Sequence, residues 1–261
     1  MNNISPLRYP GGKTRACKIL DDILHEHFKL EDYNEIISPF FGGGSFEFFM
    51  QNKYSKKLIV NDKFKPLYNF WSSCKNEKKK LCTILTQNLG IDKETFLKLR
   101  NIIIDHQNSF EQSIYYFIIN RCSFSGATLS GGFSLESSVK RFTQSSIDRI
   151  NNLDLSNFEI HNLDFEDFIK EKYKENSFMF LDPPYYLEKK SKLYGNNGDL
   201  HEFFDHQKLY EILKDKKNWL MTYNNCDYIK DLYKDFIILE VSWSYGMNKS
   251  KESSELVIIS K

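Results

Sequence analysis

Paired cysteines are missing from this sequence. Cys17, Cys74, Cys82, Cys122 and Cys226 are odd in number, scattered, and never in a Cys-x-x-Cys pair. That argues against a disulfide framework or a zinc ribbon and predicts free thiols in a reducing compartment. The six histidines form no metal spacing: His25 and His27 are two apart and would face different ways on a helix, so no metal is expected. Strong charge is missing too. The net charge of +1 gives no global basic field for nucleic acid, although a local basic face would suffice. No apolar run approaches a membrane span, and the opening "MNNISPLRYPGGK" has no apolar core of a signal peptide. A soluble cytoplasmic protein with no membrane partner is expected. Two nucleotide loops are also missing. "GGK" at 11–13 lacks the upstream glycine of a phosphate-gripping loop, and Glu47 stands where a dinucleotide G-x-G-x-x-G would need its third glycine.

Aromatic residues are plentiful. Twenty-two Phe and 15 Tyr supply enough for a large core, with some rings left for a site. Strand-like runs recur: "NEIISPF" (34–40), "KKLIVND" (56–62), "NFEIHNLDF" (157–165), "SFMFLD" (177–182), "NWLMTYNN" (218–225), "FIILEVSW" (236–243) and "SELVIISK" (254–261). Alternation with helical patterns predicts an α/β fold with a mainly parallel sheet. The last two runs have no helix between them and should pair antiparallel. Between about 64 and 152 only helical stretches appear ("LYNFWSSCKN", "KKKLCTILTQNL", "KETFLKLRNIIID", "FEQSIYYFIIN"), then the loop "CSFSGATLSGGFSLESS". The expected division is a cofactor-binding domain of residues 1–63 and 155–261, with residues 64–154 inserted as a helical domain.

"SPFFGGGSF" sets Gly42, Gly43 and Gly44 between an apolar strand and a helix. Glycine there permits positive φ and close backbone approach, at the strand ends where open α/β sheets bind ligands. Asp62 ends the next strand, about 18 residues after Gly44. An acid at that place accepts hydrogen bonds from ribose hydroxyls. A nucleoside without a long phosphate chain is indicated, and S-adenosylmethionine fits.

The run "SFMFLDPPYY" ends a strand on Asp182, Pro183, Pro184 and Tyr185. Two prolines remove amide donors and stiffen the backbone, so the corner presents a carboxylate and carbonyls only. Such a two-acceptor clamp suits an –NH₂ group, and Tyr185 offers a face on which a base can stack, worth about 1–3 kcal/mol. Gripping both N–H bonds of an exocyclic amine favours a pyramidal nitrogen and stabilises the positive charge that develops as it attacks a methyl sulfonium.

Taken together, "RYPGGK" (8–13), "PFFGGGSF" (39–46), "VND" (60–62), "NRCSFSG" (120–126) and "LDPPYY" (181–186) resemble the D12 class of DNA adenine-N6 methyltransferases, the Dam-like family. DPPY alone is shared by many amino-methyltransferases; its conjunction with GGK and N-R-x-x-F-x-G is far more specific. The resemblance implies a Rossmann-like S-adenosylmethionine-dependent methyltransferase sheet with a mainly helical inserted target-recognition domain. It implies S-adenosylmethionine, with S-adenosylhomocysteine as product, held by Tyr9, Gly12, Lys13, Phe40, Phe41, Gly42, Gly44, Asp62, Asp164 and Asp182. Asp62 should hold the ribose, and Asp164 the adenine amine of the cofactor. Asp182, Pro183, Pro184 and Tyr185 should receive a flipped adenine of double-stranded DNA. Asn120, Arg121, Ser123, Ser125, Thr128, Arg141 and Lys249 should lie near DNA. Lysine clusters at 78–80, 189–192 and 249–251 could meet phosphates, and "SYGMNKSKESSE" (244–255) should form a DNA-facing loop. A monomer or weak dimer is expected, with a cognate restriction endonuclease among the partners the resemblance allows.

The chain departs from the family pattern at two places. Ser38 stands where the family often has Glu before Pro-Phe. "FSGATLSGGF" lacks the arginine that follows N-R-x-x-F-N-G in enzymes reading GATC, so that specificity is not carried over. Rival readings are a cytosine-N4 or RNA adenine methyltransferase, a non-catalytic DNA-binding relic, and a dehydrogenase. Asp182 rather than Ser before Pro-Pro favours adenine, and the missing third glycine disfavours the dehydrogenase.

Overall fold

The computed structural model describes residues 3–186, 204–244 and 252–261. Lys189, Lys190, Lys192, Lys249 and Lys251, expected at DNA, lie outside the described residues. Seven strands form one sheet: β1 (Glu35–Ser38), β2 (Lys57–Asn61), β3 (Phe158–His161), β4 (Ser177–Leu181), β5 (Trp219–Asn224), β6 (Ile237–Ser244) and β7 (Glu252–Ile259). Their order is β3-β2-β1-β4-β5-β7-β6. The pairs from β3 through β5 are parallel, and β7 runs antiparallel to both β5 and β6. This is the Rossmann-like α/β class expected from the sequence, including its antiparallel final pair. Ser244, Glu252 and Ser253, expected in a loop, belong to β6 and β7 instead.

Period-two alternation sorts the central strands between two cores. Ile36, Val60, Phe178 and Phe180 face one core, while Ile37, Ile59, Met179 and Leu181 face the other. Both faces are covered, so these strands read as unbroken apolar runs. Strand order reverses between β1 and β4, which places the glycine turn after β1 beside the corner after β4.

The chain between β2 and β3 is helical: α3 (Lys65–Asn76), α4 (Lys78–Gln87), α5 (Lys93–Ile102), α6 (Ser109–Cys122), α7 (Leu135–Lys140) and α8 (Gln144–Asn151). Asp92 and Asn108 cap α5 and α6 by accepting backbone N–H bonds. Packing does not break at residue 64. Phe70 and Trp71 of α3 are fully buried in the same core as Phe41, Phe48 and Phe158, and Phe117 of α6 stacks on Phe70 at 5.5 Å. The serine-rich stretch, expected as a loop to residue 138, turns into α7 at Leu135, where Ser134 Oγ accepts from the Ser137 amide at 3.1 Å. No helix among the described residues is long and apolar enough to cross a membrane.

Candidate active site

A cavity of about 780 Å³ opens at the carboxyl ends of β1, β2 and β4. It is the size of a small-molecule site. All ten expected cofactor residues, Tyr9 through Asp182, line it together with Pro183, Pro184 and Tyr185. The amine-clamp corner therefore borders the glycine-lined hollow.

The glycine turn is held by its neighbours. Gly42 and Gly44 sit at φ 49° and 68°, which a side chain rarely adopts. At Gly43 the reason is space: a Cβ would come within 2.6 Å of Tyr9 Cβ. Trp71 Nε1 donates to the Gly42 carbonyl at 3.0 Å from the helical side. Asp62 accepts from the amides of Gly42 and Phe64, both at 2.9 Å. Burial pushes its carboxyl up to about 6, against the pull of those two amides. Asn61, which sequence reasoning missed, stitches the rim: Nδ2 donates to the carbonyls of Pro39 and Leu163, and Oδ1 accepts from the Leu163 amide.

At the outer end, Asp164 caps helix α9 (Phe165–Lys172) through the Glu166 amide at 3.1 Å and takes Lys63 Nζ at 2.8 Å. Burial opposes ionisation there, but Lys63 and that amide outweigh it and hold the carboxyl below the usual range. Phe40, Phe165 and Phe204 form a three-ring wall, with centroids 5.2–5.8 Å apart. Phe165 and Phe204 were not foreseen. Phe41 lines the hollow and also belongs to the core: the residue is 2% exposed and its ring packs on Phe48 and Trp71.

At the inner end, Lys13 Nζ lies 2.7 and 2.8 Å from the two Asp182 carboxylate oxygens and donates to the Gly11 carbonyl at 3.0 Å. Thr222 Oγ1 donates to Asp182 Oδ1 at 2.7 Å. The same ammonium stands 5.0 Å from the centre of the Tyr185 ring. Tyr185 OH donates to Glu255, a carboxylate only 2% exposed on β7. Glu255 thus orients the ring expected to stack on a base. Little in the sequence marks it, as it stands at the head of the apolar run "LVII" after the polar "KESS".

The residues expected at DNA divide. Asn120 is fully buried: its Oδ1 accepts from the Arg8 amide at 2.9 Å and its Nδ2 donates to the Arg8 carbonyl at 2.7 Å. Arg121, 7% exposed, donates to the carbonyls of Arg141 and Pro6. Ser123 is buried, donating to the Asn120 carbonyl and accepting from the Thr128 amide. These three brace the N-terminal segment against α6, and their polar groups are already committed to the protein. This corrects their assignment as DNA contacts. Gly126, at φ 70°, would drive a Cβ to 2.6 Å from the Arg8 carbonyl oxygen, so the motif's glycine belongs to the same brace. Ser125 and Thr128 are half-buried, Arg141 is exposed, and Lys249 lies outside the described residues. The exposed ring of the motif is Phe124, at 69%, with Leu135 and Val139 also exposed on α7.

Comparison with known proteins agrees with the motifs. The family model for D12 class N6 adenine-specific DNA methyltransferase matches residues 9–247. The Type II methyltransferase M.MjaIII of Methanocaldococcus jannaschii is 26% identical over 261 residues, covering 90% of this chain and 89% of its own. The N-terminal domain of human METTL16 in complex with SAH aligns with a TM-score of 0.40 at 9% identity, over 93% of this chain and 67% of that one. Matched over most of its length by that family model, the chain belongs to the D12 class of N6 adenine-specific DNA methyltransferases.

Proposed function

We propose that this protein transfers a methyl group from S-adenosylmethionine to the N6 amine of an adenine swung out of double-stranded DNA. One observation carries the reading: the donor-free corner at Asp182 borders the same hollow as the glycine turn and Asp62. The residues present fit the cofactor. In this reading Asp62 takes the ribose hydroxyls, the Phe40–Phe165–Phe204 wall takes a flat base, and the Lys13–Asp182 end takes an amino-acid tail. When bound, the cofactor supplies an electrophilic methyl on a sulfonium.

The chain's own residues do the rest. Asp182 and the carbonyls of the proline corner accept from the target amine, and Tyr185, tied to Glu255, stacks on its ring. Lys13 already takes the contact the amine would make, so amine and ammonium must share the Asp182 oxygens or exchange there. The helical segment 64–154 is the proposed target-recognition domain. Arg8, Arg121, Arg141 and Arg149 gather at its loop, and among the described residues none of the four joins an ion pair. Burial, and after it the charges of Arg8, Arg149 and Arg141, lower the Arg121 guanidinium to about 10, which leaves it charged at neutral pH. An uncompensated positive field there suits phosphates.

The test is direct. The protein is mixed with labelled S-adenosylmethionine and unmethylated genomic DNA, and the DNA is digested to nucleosides. N6-methyladenine is expected; label in N4-methylcytosine, or none in DNA, would overturn the reading. Phe124 gives a second check. An exposed ring in this motif loop can stack on or wedge between bases, an interaction worth about 1–3 kcal/mol. Phe124→Ala is expected to weaken DNA binding by about tenfold or more in a filter or anisotropy assay. Cofactor affinity should be unchanged, and equal DNA affinity would remove Phe124 from the interface.

A further inference from the structure

Glu47 has no place in the chemistry described so far. It sits in the first turn of α2 (Ser45–Tyr54), 3% exposed, and lines the same hollow as Lys13 and Asp182. Its Oε1 accepts from Ser38 Oγ at 2.6 Å. Among the described residues no Lys, Arg or His nitrogen lies within ion-pair distance of it. A carboxyl buried on the wall of a ligand cavity with no cation in ion-pair reach gains a direct partner when a cationic ligand arrives.

The charges around it define that cation. Lys13 stands with Asp182 as a matched pair, and Tyr185 donates to Glu255. The other titratable groups facing Glu47 are Cys17 on α1 (Cys17–His27), whose thiol is driven up to about 12 by burial and then by Glu47, together with Lys13 and Asp182 themselves. S-adenosylmethionine carries one positive charge more than S-adenosylhomocysteine, at the sulfonium. We propose that Glu47 is the counter-charge for that sulfonium: a neutral acid in the free protein that gives its proton to solvent as the cofactor binds, and so makes the site prefer the methyl donor to the product. Glu47 is a positioning and specificity residue in this scheme, because it holds the cation beside the Asp182 corner without itself accepting the methyl group. Its ordinary behaviour is consistent. Burial pushes the free carboxyl up to about 8, against the Ser38 hydroxyl bond, which pulls it down. The inference rests on the cofactor assigned above.

The experiment is calorimetric titration of the whole protein and of Glu47→Gln with S-adenosylmethionine and with S-adenosylhomocysteine. Each is run at pH 7 in two buffers of different ionisation enthalpy, so that protons released are counted apart from affinity. An acid titrating near 8 is about 90% protonated at pH 7, so the protein should release roughly one proton more than Glu47→Gln with the donor, and clearly less than that with the product. Between pH 6 and 8 its donor affinity should rise about tenfold per unit relative to the variant, and level off above. Glu47→Gln should lose donor affinity by about tenfold or more at pH 8 and product affinity by less. The difference between the two proteins removes the titration of the ligand's own amine. Equal proton counts for protein and variant, or for donor and product, would overturn the proposal while leaving the cofactor reading intact. Absence of binding by either ligand to either protein would overturn both.

Discussion

Asp182→Asn is expected to lower the single-turnover methyl-transfer rate by about a hundredfold to a thousandfold while DNA binding persists. The amide keeps the shape and can still accept from Thr222, now 2.7 Å from Asp182 Oδ1. It removes the charge that would stabilise a developing positive nitrogen, and it aims N–H groups at an amine that needs acceptors. Loss of one well-placed electrostatic partner in a dry site costs about 3–4 kcal/mol of barrier. The variant also strands Lys13, whose side chain is 3% exposed and whose other acceptor is the Gly11 carbonyl. Breaking a buried pair costs roughly 3–5 kcal/mol, and the 24% exposure of Asp182 puts this one toward the low end. A thermal melt beside the rate assay separates the two effects. Folded variant with a rate within tenfold of the parent would sink the clamp.

Trp71→Ala should produce the largest loss of stability, about 3–5 kcal/mol. Trp71 is fully buried, with the rings of Phe41, Phe48 and Phe70 centred 5.0–5.6 Å away, and collapse around so large a void is incomplete. For a domain this size that is a drop in melting temperature on the order of 10 °C. The conservative Trp71→Phe refines the argument. It keeps most of the packing but leaves the Gly42 carbonyl without its indole donor, a change of about 1 kcal/mol. Calorimetry should then show weaker cofactor binding out of proportion to the small change in melting temperature. If cofactor affinity is untouched in a folded Trp71→Phe, the indole bond does not shape the glycine turn.

The sheet was legible because its strands are written as short apolar runs with punctuation between them, and the missing helix before the last run announced the antiparallel pair. The hollow was legible because glycine, acid and proline-corner motifs each mark a strand end. Polar motif residues were not. Asn120, Arg121 and Ser123 look like surface groups in one dimension, and only tertiary contact with Arg8 and Pro6 reveals that their hydrogen bonds are internal. Phe124 carried no sign of its exposure, since an isolated phenylalanine ordinarily goes to the core and this one is outside. α7 was hidden by serines, which suit both loops and helix caps. Glu47 stands as a lone acid inside "FEFF", a pattern that signals a buried carboxylate with a purpose but not which purpose, whereas Glu255, at the head of "ELVII" after the polar "KESS", reads as a surface residue.

The place of β7 in the sheet has a consequence for the timing of activity. This strand enters between β5 and β6, and it brings the carboxylate that anchors Tyr185 across a sequence separation of 70 residues. A chain emerging from the ribosome can form the parallel half of the sheet early, but β5 keeps a bare edge until residues 252–259 appear. No nascent fragment lacking them carries the Tyr185–Glu255 contact. The anchor that holds the Tyr185 ring is thus a late, long-range product of folding, complete only once β7 has slotted between β5 and β6.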